Sequence, residues 1–350
     1  MNNTNFSTIL IEWYLRNGRS FPWRETKNPY KIWISEVIFQ QTRIEQGFEY
    51  YNSFIKKFPT IEKLAISDLN SVLKSWQGLG YYSRAINLHT AANHILKEFN
   101  GGFPEKYDDI LKLKGVGEYI AAAIASFAFK LPYPVIDGNV FRFISRFFAI
   151  DTPIDTSKGK LEIKEALDKV FDSQNPDSFN QAIMDFGSLI CSKSNPKCNT
   201  CPFANSCKAY KLDIVSALPL KTKKTKVRSR FLFYLIIKNK NNIYVNKRNL
   251  DGIWKNLYDF PCIETEINIS TDELIASKMF NDFFKNEKLT ITKVSEVYAH
   301  QLSHQLLNIK FIHVESAIKL QNYTSININD FSKLPISKII EKYFKKNELY

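Results

Sequence analysis

No apolar run in this sequence approaches the roughly twenty residues needed to cross a bilayer, which argues against a helical membrane protein. The opening Met1-Asn2-Asn3-Thr4-Asn5 has neither the basic nor the apolar region of a signal peptide, so the expectation is a soluble, cytoplasmic chain. Cysteine is scarce: there are five in 350 residues, and four of them crowd between positions 191 and 207. That distribution speaks against a secreted disulfide scaffold and for a metal site in a reducing compartment. No internal repeat is visible, and strand-like patterns are hard to find before residue 215. Acidic residues number 35 against 48 lysines and arginines, leaving a net charge of +13. A surplus of that size points to a polyanionic partner, either nucleic acid or an anionic membrane surface.

What is present suffices for two packed domains, since cores usually stop growing well before this length. With 44% hydrophobic and 14% aromatic residues the chain can fill both. Residues 1–215 read as helix after helix. Phe6, Ile9, Leu10 and Trp13 share one face of an opening segment that ends near Gly18, and further helices are expected at 30–40, 43–57, 83–99, 118–129, 139–148, 158–171 and 178–190. Thr60 and Ser67-Asp68 offer caps for short helices in between. After Pro219, a basic connector (216–230) carries Lys221, Lys223, Lys224, Lys226, Arg228 and Arg230 and reads as a linker. Residues 231–350 then show strand patterns at 231–237, 243–245, 291–298 and 306–314 and helical ones at 271–285 and 336–345, an α+β domain.

Three features carry chemistry. Cys191, Cys198, Cys201 and Cys207, spaced C-x6-C-x2-C-x5-C, can surround one inorganic centre from a single loop. Four thiolates also suit zinc, so both remain open on spacing alone. Lys193, Lys197 and Lys208 interleave with them, which suggests docking to phosphate. Cys262 lies far away and reads as a small core residue. Leu113-Lys114-Gly115-Val116-Gly117 joins a short helical pattern at 109–112 to an Ala-rich helix. Its glycines permit a tight turn whose amides can hold a phosphate, or that serves only to join helices. Finally, Glu36 lies in the apolar stretch Trp33 to Phe39, where burial would raise its pKa until it can act as a general acid; the bland alternative is an exposed helical glutamate. Asp137 precedes the helix through Phe143 and Phe147. An N-cap role is expected there, and helix-start donors should keep it ionised. Carboxyl groups under opposed pressures suit N-glycosidic cleavage, an acid for the leaving base and an anion for the cationic sugar.

With these pieces in order, the chain resembles the helix-hairpin-helix iron-sulfur DNA glycosylases, and within them the MutY-type adenine DNA glycosylases. The resemblance is carried by Phe21-Pro22-Trp23-Arg24, Asn28-Pro29-Tyr30, Ser35-Glu36-Val37 through Gln40-Gln41-Thr42, Gly78-Leu79-Gly80-Tyr81-Tyr82-Ser83-Arg84, Gly115-Val116-Gly117, Asp137-Gly138-Asn139-Val140 and the four cysteines. It implies an all-α helix-hairpin-helix glycosylase domain with a 4Fe-4S loop at 191–207. Glu36 would protonate a flipped adenine and Asp137 would stabilise the sugar cation or add to it transiently. Arg24 and Asn139 would orient the adenine and the catalytic groups. Gln41 and Tyr81 would stand at the gap left by the flipped base. Tyr119 occupies the place where endonuclease III-type relatives carry a Schiff-base lysine, which implies a monofunctional enzyme.

Residues 231–350 resemble the family's Nudix-like domain through Lys247-Arg248, Gly252-Ile253-Trp254 and Asp259-Phe260-Pro261. Segment 263–285 lacks the acidic cluster that binds magnesium in Nudix hydrolases, so pyrophosphatase activity is not expected. The family's Phe-Ser-His loop reads Leu302-Ser303-His304 here. Ser303 and His304 would recognise 8-oxoguanine, with the aromatic replaced. The implied partner is duplex DNA with adenine opposite 8-oxoguanine or guanine, bound by a nucleoid-associated monomer with no membrane contact.

Overall fold

The computed structural model describes residues 3–222, 227–249, 252–285 and 287–347. Two compact units emerge, Met1–Ile66 with Asn87–Lys223, and Ser67–Ile86 with Lys224–Tyr350. No described helix is long and apolar enough to cross a membrane.

The first unit is helical, and among the described residues no strand precedes Arg228. It holds α1 (Asn3–Asn17), α2 (Pro29–Ile38), α3 (Ile44–Lys57) and α4 (Ile61–Ala65); α5 (Leu69–Ser75) belongs to the second unit and α6 (Ser83–Glu98) runs through both. Then come α7 (Tyr107–Leu111), α8 (Glu118–Phe129), α9 (Gly138–Phe148), α10 (Ser157–Asp168), α11 (Pro176–Leu189) and α12 (Lys208–Lys211). The expected caps form: Thr60 accepts from the Lys63 amide and Asp68 from the Ser71 amide. The hairpin's first helix begins at Tyr107, earlier than the residue 109 start expected from sequence, because Lys106 already adopts the extended N-cap conformation.

α8 is so rich in alanine that Ala121, Ala122, Ala123 and Ala125 are all buried, letting neighbouring helices approach closely. Phe6, Phe143, Phe147, Phe179, Phe186 and Phe203 form the centre of another core that joins α1, α9, α11 and the cysteine loop. Each such ring contributes roughly 1.5–3 kcal/mol on burial.

The second unit is built on a mixed sheet. Its strands are β1 (Arg228–Asn239), β2 (Asn242–Lys247), β3 (Tyr258–Asp259), β4 (Cys262–Thr265), β5 (Thr290–Val294), β6 (Tyr298–Gln301), β7 (Gln305–Glu315) and β8 (Thr324–Asn327). β1 and β7 run parallel at its centre, and the other pairings are antiparallel. Leu232 to Ile237 are buried without alternation because both faces are covered. α15 (Ile328–Phe331) and α16 (Lys338–Lys346) close one face; α13 (Thr271–Ala276) and α14 (Lys278–Phe284) close the other.

The helix expected at 271–285 is two helices, since Ser277 leaves helical geometry to cap α14. The strand expected at 291–298 is likewise two, β5 and β6. Arg228 and Arg230, read as connector, are strand residues paired with β7, and Arg230 bonds Glu264. Lys223, Lys224 and Lys226 of that connector lie outside the described residues.

Candidate active site

A cleft of about 490 Å³, open to solvent, is lined by Arg24, Glu36, Tyr119, Asp137 and Asn139. α2 brings Glu36 there. Asn28 caps the helix by accepting from the Lys31 amide at 3.1 Å, Pro29 presets its first turn, and Trp33, Ile34, Val37 and Ile38 anchor it in the core. Beyond Ile38 the chain turns away, and Gln41 takes a left-handed φ of 58°. Glu36 sits beside the anchoring residues with one side facing the cleft, so it is half-buried rather than sealed in.

Tyr119 arrives from the hairpin. Gly115 has φ +79°, and a Cβ there would stand 2.6 Å from Asn87 Cβ, so the turn requires glycine twice over. Gly117 is the N-cap of α8 and places Tyr119 in its first turn. The Tyr119 hydroxyl donates to Glu36 Oε2 at 2.6 Å. Burial pushes the Glu36 carboxyl up to about 6, against the lowering influence of Tyr119 and Arg24 and with a further push from Asp137.

Asp137 caps α9, its Oδ1 accepting from the amides of Asn139 and Val140, both at 2.8 Å, while Asn139 Nδ2 donates to Oδ2 at 2.7 Å. Opposed pressures on the two carboxyls are the expectation from sequence, but both are pushed the same way. Burial raises the Asp137 pKa, and the donors only moderate the rise. Asn139 Oδ1 in turn accepts from Arg142 Nη2 at 2.8 Å, and Arg142 Nε donates to the Cys191 carbonyl at 2.7 Å.

Asp185 carries a role that the sequence reading missed. Its carboxylate is fully buried and takes both guanidinium nitrogens of Arg24, at 2.7 and 2.9 Å, and also the Arg19 backbone amide at 2.9 Å. Arg24 is thus oriented from α11, and its guanidinium lies 5.2 Å from the Phe21 ring centroid, which itself stacks on Trp23 at 4.9 Å. Burial would raise the Asp185 pKa, but hydrogen bonds from Arg24 and Arg19 outweigh it and hold the carboxyl below its ordinary range. Only the spacing of Asp185 within an apolar helical stretch hinted at this.

The four cysteines line a second, small cavity of about 20 Å³, together with Phe143, Ile190 and Phe203. Arg146 reaches it from α9, with Nη1 3.4 Å from Cys191 Sγ. Among the described residues, no group of three or more Cys, His, Asp or Glu is placed to hold a single metal ion. The four sulfurs share one largely apolar chamber, and four thiolate donors brought together from a single loop are a donor set that an iron-sulfur centre accepts. Cys262 is apart from these, half-buried against the core of the second unit.

Within the second unit, Ser303 and His304 are exposed in the turn between β6 and β7, while Leu302 packs against the core. Ser303 Oγ lies 2.9 Å from the Tyr81 hydroxyl. Tyr81 is left-handed, φ 48°, and 49% exposed.

The family model described as "HhH-GPD superfamily base excision DNA repair protein" matches residues 34–172, and one described as a NUDIX domain matches 233–346. An adenine DNA glycosylase of Buchnera aphidicola subsp. Schizaphis graminum is 35% identical over 347 residues, covering 96% of this chain and 98% of that protein. One from Buchnera aphidicola subsp. Baizongia pistaciae is 37% identical over 357 residues, with 98% and 97% coverage. Among solved structures, a thermostable thymine-DNA glycosylase is similar at TM-score 0.55 and 27% identity, covering 60% of this chain and 97% of that one. A non-covalent endonuclease III-DNA complex, at TM-score 0.52 and 22% identity over 61% of this chain and 99% of that one, shares the fold.

Proposed function

This chain belongs to the adenine DNA glycosylase family, and on that premise we propose that it excises adenine opposite 8-oxoguanine or guanine from duplex DNA in base excision repair. The observation that carries this reading is the convergence of Glu36, Tyr119, Asp137 and Asn139 on one cleft.

The chemistry follows from the protonation states. With a pKa of about 6, roughly a tenth of Glu36 carries a proton at pH 7, and that proton passes to a ring nitrogen of the flipped base. The electron pair of the C1′–N bond leaves with the adenine, and positive charge develops on the sugar. Asp137, aimed by Asn139 and the α9 amides, stabilises that charge or adds to C1′ transiently. Water then adds at C1′ and its proton returns to Glu36. Arg24, pinned by Asp185, orients the base and the catalytic groups. A tyrosine at 119 supplies no amine for a Schiff base, in keeping with a monofunctional hydrolase.

Cys191, Cys198, Cys201 and Cys207 would hold a 4Fe-4S cluster in their cavity. Bound there, it would supply a fixed charge and a cross-link that shapes the loop carrying Lys193, Lys197 and Lys208 for phosphate contact. Gly115 and Gly117 in the hairpin would meet the DNA backbone, and Gln41 and Tyr81 would fill the gap in the duplex. Ser303 and His304 would hydrogen-bond the opposite 8-oxoguanine. In this scheme residues 1–215 perform catalysis, the stretch from 216 to the start of β1 at Arg228 connects, and the sheet domain that follows reads the lesion.

Base release is to be measured on duplexes with adenine opposite 8-oxoguanine, guanine and thymine at fixed salt. Release from the first two, and a loss of about 10²–10⁴-fold in Glu36→Gln, is expected. Persistent release by Glu36→Gln would remove Glu36 as the acid.

A further inference from the structure

Left-handed residues crowd the turn from Gly78 to Tyr82: Gly78 has φ +99°, Gly80 +76° and Tyr81 +48°. Glycine takes that region freely, whereas a tyrosine does so at the expense of a Cβ clash, so the surroundings must impose it. The C-terminal part of the same unit supplies the holds. Lys338, at the start of α16, donates from Nζ to the Gly78 carbonyl at 3.1 Å. The Ile336 amide donates to Gln77 Oε1 and the Tyr82 hydroxyl donates to the Ile336 carbonyl, both at 3.3 Å. Tyr82 also accepts from the Gly78 amide at 3.3 Å. Gly78 is buried, so its carbonyl needs a partner, and Lys338 provides a charged one.

We propose that Lys338 is a positioning residue for Tyr81: its ammonium on the Gly78 carbonyl keeps the turn in the form that presents the Tyr81 ring to DNA. Lys338 makes no contact with the reacting atoms in this scheme; it acts through the turn. The half-exposed ring is left as the contacting surface, with its hydroxyl tied to Ser303. This inference rests on the reading of Tyr81 as the residue that fills the gap beside the flipped base.

Two measurements test it. In DNA-free protein, Lys338→Met is expected to speed amide exchange across residues 77–82, with Lys338→Arg restoring protection. In single-turnover adenine release, Lys338→Met is expected to lose about tenfold, the scale of one charge-assisted hydrogen bond. Tyr81→Ala should then mask it: the double variant Tyr81→Ala/Lys338→Met should be no slower than Tyr81→Ala alone. Gln77→Ala, which removes another hold on the turn, should behave in the same way if Lys338→Met folds poorly. Losses that multiply in the double variant, or exchange that Lys338→Met leaves unchanged, would overturn the proposal. A wild-type protein that releases no adenine would instead overturn the reading beneath it, and exchange would still report whether Lys338 holds the turn.

Discussion

The Tyr119 hydroxyl donates a 2.6 Å hydrogen bond to Glu36 Oε2 across 83 residues of chain. It stabilises the carboxylate and so restrains the rise that burial imposes on Glu36. Base release should fall as pH rises through about 6, where the acid loses its proton. Tyr119→Phe deletes the restraint, so the Glu36 pKa climbs and the falling limb of the pH–rate profile should move to higher pH, by about one unit for a bond of this kind. A limb that stays put or moves to lower pH would disprove the coupling.

Asp185→Asn should destabilise the first unit by about 3–5 kcal/mol, because it leaves Arg19 and Arg24 without their buried anion. Urea unfolding at neutral pH measures the loss. The native pKa of Asp185 is depressed, so its contribution is full above the unfolded value of about 3.9 and disappears as pH falls through the native one. The difference between wild type and variant should therefore shrink only in strong acid.

Phe203 ties the cysteine loop to the aromatic core, its ring centroid 4.8 Å from Phe6 and 5.2 Å from Phe186. Truncation to alanine leaves a cavity at a fully buried site and should cost about 3–5 kcal/mol. Thermal unfolding reports the cost; on the proposed cluster assignment, Phe203→Ala should also lower the iron content through the loosened loop.

Ser303→Ala breaks the bond to Tyr81 at an exposed site, so stability should change by less than about 1 kcal/mol. Discrimination is where the effect belongs. The ratio of adenine release opposite 8-oxoguanine to release opposite guanine should fall, while release opposite guanine is nearly kept. An unchanged ratio would take Ser303 out of lesion reading.

Much of the architecture is written locally. Asn28-Pro29 sets the start of α2, Asp137 caps α9, Thr60 and Asp68 cap their short helices, and the glycine of the hairpin turn has the positive φ its pattern implies. Capping and turn chemistry act over three or four residues, so a single sequence displays them. The glutamate in an apolar stretch was legible for the same reason, since burial of that helix follows from its composition.

The sequence by itself determined these elements, the cysteine loop and the candidate carboxyl pair. Tertiary structure alone decided the partnerships between distant residues. Asp185 meets Arg24 across 161 positions, and Ser67–Ile86 clusters with the C-terminal part of the chain, although nothing local marks either. The pKa of Asp137 was decided there too: its donors are local and readable, but burial in the folded chain proved the stronger influence.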